Sequence, residues 1–339
     1  MTSSKRKILV TGAGGYIGSV ATDLFLKKEF EVVGMDNFST GYRQPLELLQ
    51  KKFGARSFRF YEADLRDDLS PILKKEKGIE AVVHYASLQV VSESMQEPLK
   101  YFGNNVCGSQ NLFRQMLEYG IKNLVFSSTA AVYGEAKYLP IDERHPTNPT
   151  SIYGESKVMI EKMIQWLGKL KDLHYVILRY FNVSGASDDS LFGYSKKPVT
   201  HLVDNAVRGA LGIAPFSLTC PKVRTEDGTP IRDYANVVDL NEAHYLALNY
   251  LFSGGKGEVI NLGTGTGNSV LEIVSAVQKV TGKKLALGKS APRQGEWAKA
   301  VASIEKAKKI LGWQPKRSLE QSIRSLTAWY QNRPQGWEY

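Results

Sequence analysis

The pair of residues best suited to chemistry is a tyrosine and a lysine four apart, in Tyr153-Gly-Glu-Ser-Lys157. On a helix that spacing puts both side chains on one face, so an ammonium sits near a phenol. The ammonium favours phenolate, and Tyr153 becomes a proton acceptor for a hydroxyl. A second segment, Ser127-Ser128-Thr129-Ala130, supplies hydroxyls at the end of an apolar run. Thr129 can bridge phenol and substrate, with Ser128 the neighbouring alternative. A third is Thr11-Gly12-Ala13-Gly14-Gly15-Tyr16-Ile17-Gly18. Glycines after a strand and ahead of a helix let the backbone approach a pyrophosphate, whose charge the helix N-terminus favours. The second strand ends in Asp36, followed by Asn37. A carboxylate there accepts from both ribose hydroxyls and repels a 2′-phosphate, which points to NAD rather than NADP. An oxidised nicotinamide adds its positive charge to that of Lys157 and should lower the Tyr153 pKa toward working pH.

These residues need a frame, and the sequence pattern supplies one. Short β-rich runs at 7–11, 31–36, 57–61, 81–84, 123–127 and 175–179 alternate with amphipathic stretches at about 16–28, 66–77, 97–119 and 151–170. Strand and helix in alternation force parallel pairing and an α/β, doubly wound Rossmann sheet. His84-Tyr85-Ala86 ends the fourth strand, where open sheets take ligands, though a histidine there is also an ordinary packing residue. Asp64-Leu65, after the third, lies beside the adenine or else caps a helix. After residue 180 the rhythm loosens, with helices near 199–211, 238–252, 269–281, 303–311 and 318–332. We expect an NAD-binding domain over 1–180 and a smaller mixed α/β substrate lobe over 181–339, with chain contributions interleaved.

Composition narrows the class. The 339 residues are 42% hydrophobic and 23% charged, which excludes collagenous and disordered chains. No apolar run approaches the ~18–20 residues of a membrane span, and the basic start leads into no signal-peptide core, so no membrane partner and a cytoplasmic location are expected. Cys107 and Cys220 form no CxxC, and the five histidines do not cluster, so neither disulfide framework nor metal site is expected. The net charge of +10 is spread over both halves without a basic stripe. It suits a polyanionic small ligand better than nucleic acid.

Taken together, the glycine turn, Asp36, the Ser127–Thr129 strand end and YxxxK resemble the extended short-chain dehydrogenases/reductases. Nearly the whole chain is similar to their UDP-glucose (UDP-galactose) 4-epimerase family. The similarity runs through 10–18, 35–37, 98–106 with Asn104-Asn105, 126–134, Tyr153–Lys157, Leu178-Arg-Tyr-Phe-Asn182, Thr225-Glu-Asp-Gly-Thr229, Arg232-Asp-Tyr234 and Asn261-Leu-Gly-Thr264. The resemblance implies that Tyr153 removes the proton from the hydroxyl on sugar carbon 4 while hydride leaves that carbon for NAD. The 4-keto sugar then turns and takes the hydride back on its other face. Thr129 would bond the 4-oxygen, and Lys157 would hold the nicotinamide ribose. Tyr85, Ala86, Asn104, Ser127 and Tyr180 would line the cofactor. Arg232 and Arg293 would bind the diphosphate, with Asn182, His201, Leu202 and Thr219 also on the substrate and Glu296 on the nucleoside ribose.

Some positions depart from the family pattern. Gln89 stands for a lysine expected beside the cofactor pyrophosphate, and His201 for an asparagine on the substrate diphosphate. Thr219-Cys-Pro-Lys222 replaces the segment that packs on uracil. Ala300 falls at a gate usually held by a tyrosine, which would open the pocket to N-acetylated sugars; a gap near Gln294 makes Val301 the alternative. The expected function is thus a nucleotide-sugar 4-epimerase, with UDP-glucose and UDP-galactose favoured. A dehydratase or decarboxylase is the runner-up, but Ala130-Ala131 after Thr129 lacks the acid and base that elimination needs. A non-catalytic NAD-binding regulator is set against the retained Thr129, Tyr153 and Lys157. A homodimer is expected through 97–119 and 151–170, whose Phe113, Met116, Leu117, Met159, Ile160, Met163 and Ile164 serve an interface or the core.

Overall fold

Each apolar run that follows a turn becomes a strand of one sheet, and the computed structural model describes residues 5–196, 198–289 and 297–338. The first six strands are β1 (Lys7–Thr11), β2 (Glu31–Asp36), β3 (Phe58–Glu62), β4 (Ile79–His84), β5 (Asn123–Thr129) and β6 (His174–Tyr180). A seventh, Glu258–Leu262, joins the edge beside β6, and the order from there is β6, β5, β4, β1, β2, β3. β1 pairs in parallel with β2 and β4, as do β2 with β3 and β4 with β5. Helices supply the crossovers that parallel strands require. They are α1 (Tyr16–Lys27), α2 (Gln44–Phe53), α3 (Ser70–Lys75), α4 (Val91–Gln96), α5 (Pro98–Tyr101), α6 (Gly108–Glu118) and α7 (Ile152–Lys171). With both faces covered, consecutive residues such as Ile8, Leu9 and Val10 are all fully buried, which is why the strands read as continuous apolar runs. The chain is a doubly wound α/β fold whose order reverses between β1 and β4, where such sheets open a ligand crevice.

Helices α2 and α4 were not foreseen, and two foreseen helices differ from expectation. The single helix foreseen over 97–119 is interrupted by a π-helical turn at Phe102–Cys107. There Asn105 turns its buried amide inward, accepting from Leu88 N at 2.9 Å and donating to Leu88 O and Ser156 Oγ at 3.0 and 3.2 Å. A wider turn of this kind commonly marks a functional segment. The helix foreseen over 66–77 is shortened to Ser70–Lys75, because Asp64 and Asp68 close local turns on the N–H groups of Arg66 and Ser70. The inner stripes of α6 and α7 pack on the sheet, burying Phe113, Met116, Ile160 and Ile164 with Leu9, Val82 and Leu124. Those four serve the core rather than an interface, and Met163 packs against the same core. Of the residues named for a dimer, Met159 is exposed, as are Met95, Leu99, Trp166 and Leu170 of α4, α5 and α7.

The chain divides into two compact units: one of residues up to Gly134, Thr147–Arg179 and Asn241–Ile260, the other of Glu135–Pro146, Tyr180–Leu240 and Asn261 onward. In the second, helices Leu202–Ala210, Val270–Thr281 and Leu319–Asn332 pack together. Capping boxes, Ser269 with Glu272 and Ser318 with Gln321, start the last two. Among the described residues no helix is long and apolar enough to cross a membrane, and no cluster of His, Cys, Asp or Glu is placed to hold a metal.

Candidate active site

Glycine is required at two points of the β1–α1 turn. Gly12 has φ +70°, and a Cβ there would lie 2.6 Å from the Ala86 backbone nitrogen. A Cβ on Gly18 would lie 2.1 Å from the Gly12 carbonyl oxygen. The turn therefore presses against the chain leaving β4, where Tyr85 N–H donates to Thr11 O at 3.1 Å. α1 then starts from Gly15 without a side-chain cap, leaving its first turn of Tyr16, Ile17 and Gly18 suited to a phosphate. Asp36 is buried at the end of β2, its two oxygens accepting from Gly14 N at 2.9 Å and Phe38 N at 2.8 Å. Burial pushes its pKa up while those two hydrogen bonds oppose the rise. A carboxylate has roughly four acceptor positions, so two hydrogen bonds leave it capacity for ribose hydroxyls. A turn that one methyl would fill, an uncapped helix start and this carboxylate fit a dinucleotide.

Asn37 donates to Asp64 at 2.8 Å, and Arg66 clasps the same carboxylate from Nε and Nη2, both at 2.8 Å. That pairing holds the Asp64 carboxyl well below the usual carboxylate range. Asp64 closes a turn and caps no helix, since Leu69 occupies the cap position of α3. Leu65 beside it is buried. Arg43, which sequence reasoning passed over, lies 4.9 Å from the Phe38 ring and is paired with Glu62.

The catalytic candidates converge where β5 ends against α7. Ser151 caps α7 by accepting from Gly154 N at 3.1 Å, which sets Tyr153 and Lys157 in its first two turns. Lys157, 2% exposed, donates to Ser127 O at 2.9 Å, and its nitrogen lies 4.8 Å from the Phe126 ring centre and 5.9 Å from that of Tyr153. Thr129 stands beside the Tyr153 phenol and accepts from Ala131 N at 3.2 Å. Burial pushes Tyr153 up to about 12, with Thr129 opposing, and pushes Lys157 down to about 7, with Glu161 opposing. The lowered phenol foreseen from the sequence is therefore not produced by the chain's own groups. Desolvation penalises phenolate and ammonium alike, and at this depth it outweighs their attraction.

Ser128 corrects a second expectation. It is fully buried and gives its hydroxyl to Glu161, which leaves Thr129 as the hydroxyl beside the phenol. Ser127 Oγ bonds His244 Nε2 at 2.9 Å, and the His244 ring lies 4.7 Å from that of Tyr85. Tyr85 donates to Asn241 at 3.0 Å, and Asn241 in turn to Ile17 O at 3.3 Å. His84 is a packing residue, bonded to Thr11 and Ser109 at 2.7 and 2.9 Å; burial, with a smaller contribution from Lys157, pushes it down to about 3 and keeps it neutral. Gln89 is exposed on the loop that Asn105 anchors through Leu88, and Asn104 donates to Asn105 at 3.0 Å. Of the supporting residues to which sequence reasoning gave no role, Asn105 and Arg179 stood only within the stretches that carry the resemblance, and Asn241 and His244, on another element, left no local signal. Glu161, four after Lys157, shares its helix face and was readable.

In the second unit Tyr180 ends β6, and Asn182, exposed, begins the short strand Asn182–Ser184, its N–H donating to Asp233 O at 3.0 Å. Arg232 donates to the carbonyls of Ile231 and Trp297, both at 2.9 Å. The strand Lys299–Ala300 runs parallel to Ile231–Arg232 with Ala300 in register with Arg232, while Val301 beside it is buried. Asp233, fully buried, ties this region together by accepting from Thr264 N and Oγ1, Gly265 N and Ala302 N at 2.6 to 3.2 Å. His201 stands at the start of helix Leu202–Ala210 with its ring 4.3 Å from Tyr194, and Leu202 follows it. Thr219 follows the strand Ser217–Leu218. Arg293 and Glu296 lie outside the described residues.

Residues 8–263 match the model of the NAD dependent epimerase/dehydratase family. UDP-glucose 4-epimerase of Streptococcus mutans serotype c is 41% identical over 336 residues, 98% of each chain. A crystal structure of UDP-glucose 4-epimerase from Bifidobacterium longum in complex with NAD+ and UDP superimposes with a TM-score of 0.92 at 33% identity, covering 98% of this chain and 100% of that one. The UDP-Glc/GlcNAc 4-epimerase of Campylobacter jejuni gives 0.82 at 36% identity over 96% and 99%.

Proposed function

The chain belongs to the NAD dependent epimerase/dehydratase family, and from that premise we propose that it is an isomerase, a 4-epimerase interconverting UDP-glucose and UDP-galactose with NAD as its cofactor. The reading is carried by Thr129, Tyr153 and Lys157 meeting at the end of β5, with Ala130-Ala131 following where a dehydratase needs an acid and a base. Its high-coverage relatives named UDP-glucose 4-epimerase support it.

NAD, when bound, supplies the acceptor and donor of a hydride. Gly12, Gly15, Tyr16, Ile17 and Gly18 hold its pyrophosphate, Asp36 and Asn37 the adenosine ribose, and Asp64 and Leu65 the adenine side. Tyr85, Ala86, Gln89, Asn104, Ser127 and Tyr180 line the remainder. Tyr153 takes the proton of the sugar 4-hydroxyl and later returns it, while Thr129 bonds that oxygen. Lys157 steadies the phenolate and the nicotinamide ribose. Arg232 and Arg293 bind the diphosphate, joined by Asn182, His201, Leu202 and Thr219, with Glu296 on the nucleoside ribose. Ala300, small and in register with Arg232, leaves room for an acetamido group. The protein works in the cytoplasm as a homodimer through the exposed apolar residues of α4, α5 and α7, a face that sizing of wild type against Trp166→Glu tests.

One spectrum tests the reading. Purified protein contains stoichiometric NAD, and UDP-glucose raises reduced-nicotinamide absorbance at ~340 nm. NAD without that response rejects the epimerase and leaves a binding protein.

A further inference from the structure

Lys157 is not the last charged residue on its face of α7. Glu161 follows one turn on, so Tyr153, Lys157 and Glu161 form a line spaced by four. Glu161 is 3% exposed, and a carboxylate that deep needs partners. Arg179 of β6 donates to it from Nε at 3.0 Å and Nη2 at 2.5 Å, and Ser128 of β5 donates at 2.5 Å. Arg179 spends Nη1 on the Tyr133 hydroxyl at 3.0 Å. Four consecutive residues of β5 thus meet α7. Phe126 lies against the Lys157 ammonium, Ser127 O accepts from it, Ser128 bonds Glu161, and Thr129 stands beside Tyr153.

A buried ion pair is weak evidence for stability, since apolar residues of similar volume often hold a fold as well. What apolar residues lack is an anion one turn from a buried ammonium. The other groups around Lys157 do not provide it. His84 of β4 is neutral, Arg179 is cationic, Tyr133 is engaged by Arg179, and His244 lies beyond Ser127. On the Tyr153 side, Glu93 of α4 is paired with Tyr101 and Lys100.

We propose that Glu161 is a positioning residue for the reaction: clamped by Arg179 and Ser128, its carboxylate holds Lys157 in the ammonium form on the Ser127 carbonyl beside Tyr153. The opposition between burial and Glu161 at Lys157 supports this. The kinetic consequence rests on the epimerase reading, whereas the charge of Lys157 does not.

The test follows Lys157 in ¹³Cε-lysine-labelled protein by NMR, its resonance assigned by its absence in Lys157→Arg, alongside the pH profiles of kcat and KM. Glu161→Gln strands the Arg179 charge and risks unfolding, so Glu161→Gln/Arg179→Gln is measured with it. A unit charge about 6 Å away at an effective dielectric of ~20 is worth about one to two pH units. In Glu161→Gln the Lys157 midpoint falls by that amount, and in the double variant, which also loses the opposing Arg179 charge, it falls by less; in both the alkaline limb of kcat moves to lower pH with it, and KM changes less than about threefold. An unmoved midpoint in every variant that folds overturns the proposal, as does a moved midpoint with an unmoved limb. A moved midpoint in a protein that never interconverts UDP-sugars rejects the epimerase reading while upholding Glu161 as the counter-charge.

Discussion

A single methyl at Gly18 tests whether the β1–α1 turn holds the cofactor. In Gly18→Ala the new carbon would lie 2.1 Å from the Gly12 carbonyl oxygen, where ordinary contact begins at 3.4 Å. The obstacle is backbone and cannot rotate aside, so the first turn of α1 must withdraw by about 1.3 Å. Overpacking of this kind costs ~1–3 kcal/mol in stability. Each charge-assisted hydrogen bond to phosphate that is displaced forfeits ~1.5–3 kcal/mol, so NAD affinity should fall about 10- to 100-fold. Stripped protein titrated with NAD by calorimetry measures the loss, and circular dichroism shows whether the fold persists. Gly120→Ala is the control: its φ is +70°, and a Cβ there meets nothing within 4 Å. It should lose ~1–2 kcal/mol of stability to left-handed strain and keep its NAD affinity. Equal NAD affinity in Gly18→Ala and wild type, or equal loss in both variants, refutes the reasoning.

Three further outcomes follow from the site. The protein should prefer NAD to NADP, because on the proposed reading Asp36 would face the 2′ position and Arg43 is paired with Glu62; comparable Kd values for the two cofactors would remove Asp36 from that role. Lys157→Met should inactivate the enzyme yet raise its melting temperature at pH 7. Burial lowers the folded pKa from 10.5 to about 7, so the unfolded chain binds more protons between those values and wild-type stability rises with pH across that window. The variant should lack that rise, and an unchanged slope in urea unfolding counts against the buried ammonium. Ala300→Tyr should abolish turnover of UDP-N-acetylglucosamine and spare UDP-glucose, since overpacking by ~1–3 kcal/mol acts on the larger sugar; equal loss of both activities takes Ala300 out of the pocket.

The sheet was legible because its strands are buried on both faces, so β1 and β2 stand out as unbroken apolar runs. The π turn at Phe102–Cys107 was not, because nothing in local propensity marks it; it is tied to long-range bonds from Asn105 to Leu88 and Ser156. At the site, Tyr153, Lys157, Thr129, Gly12 and Asp36 announced themselves by spacing and order. Ser128 misled, since a hydroxyl beside Thr129 looks equally available until Glu161 is seen to take it. The chain's own groups do not lower the Tyr153 pKa for the same reason: sequence shows which charges are neighbours but not the depth at which they sit, and without a bound nicotinamide depth decides the sign at Tyr153.

The central claim is that this chain moves one hydride from carbon 4 and returns it to the same carbon, with Tyr153 handling only the proton. UDP-[4-²H]glucose incubated with the NAD-loaded protein in ordinary water, and its unlabelled counterpart in D2O, test this directly by mass spectrometry and NMR of the UDP-galactose formed. The label should remain on carbon 4 with none entering from D2O, and Tyr153→Phe should slow conversion on the order of 10²–10⁴-fold without changing where the label lies. Washout of the label, solvent deuterium on carbon 4, or turnover of Tyr153→Phe within a few-fold of wild type would contradict the account.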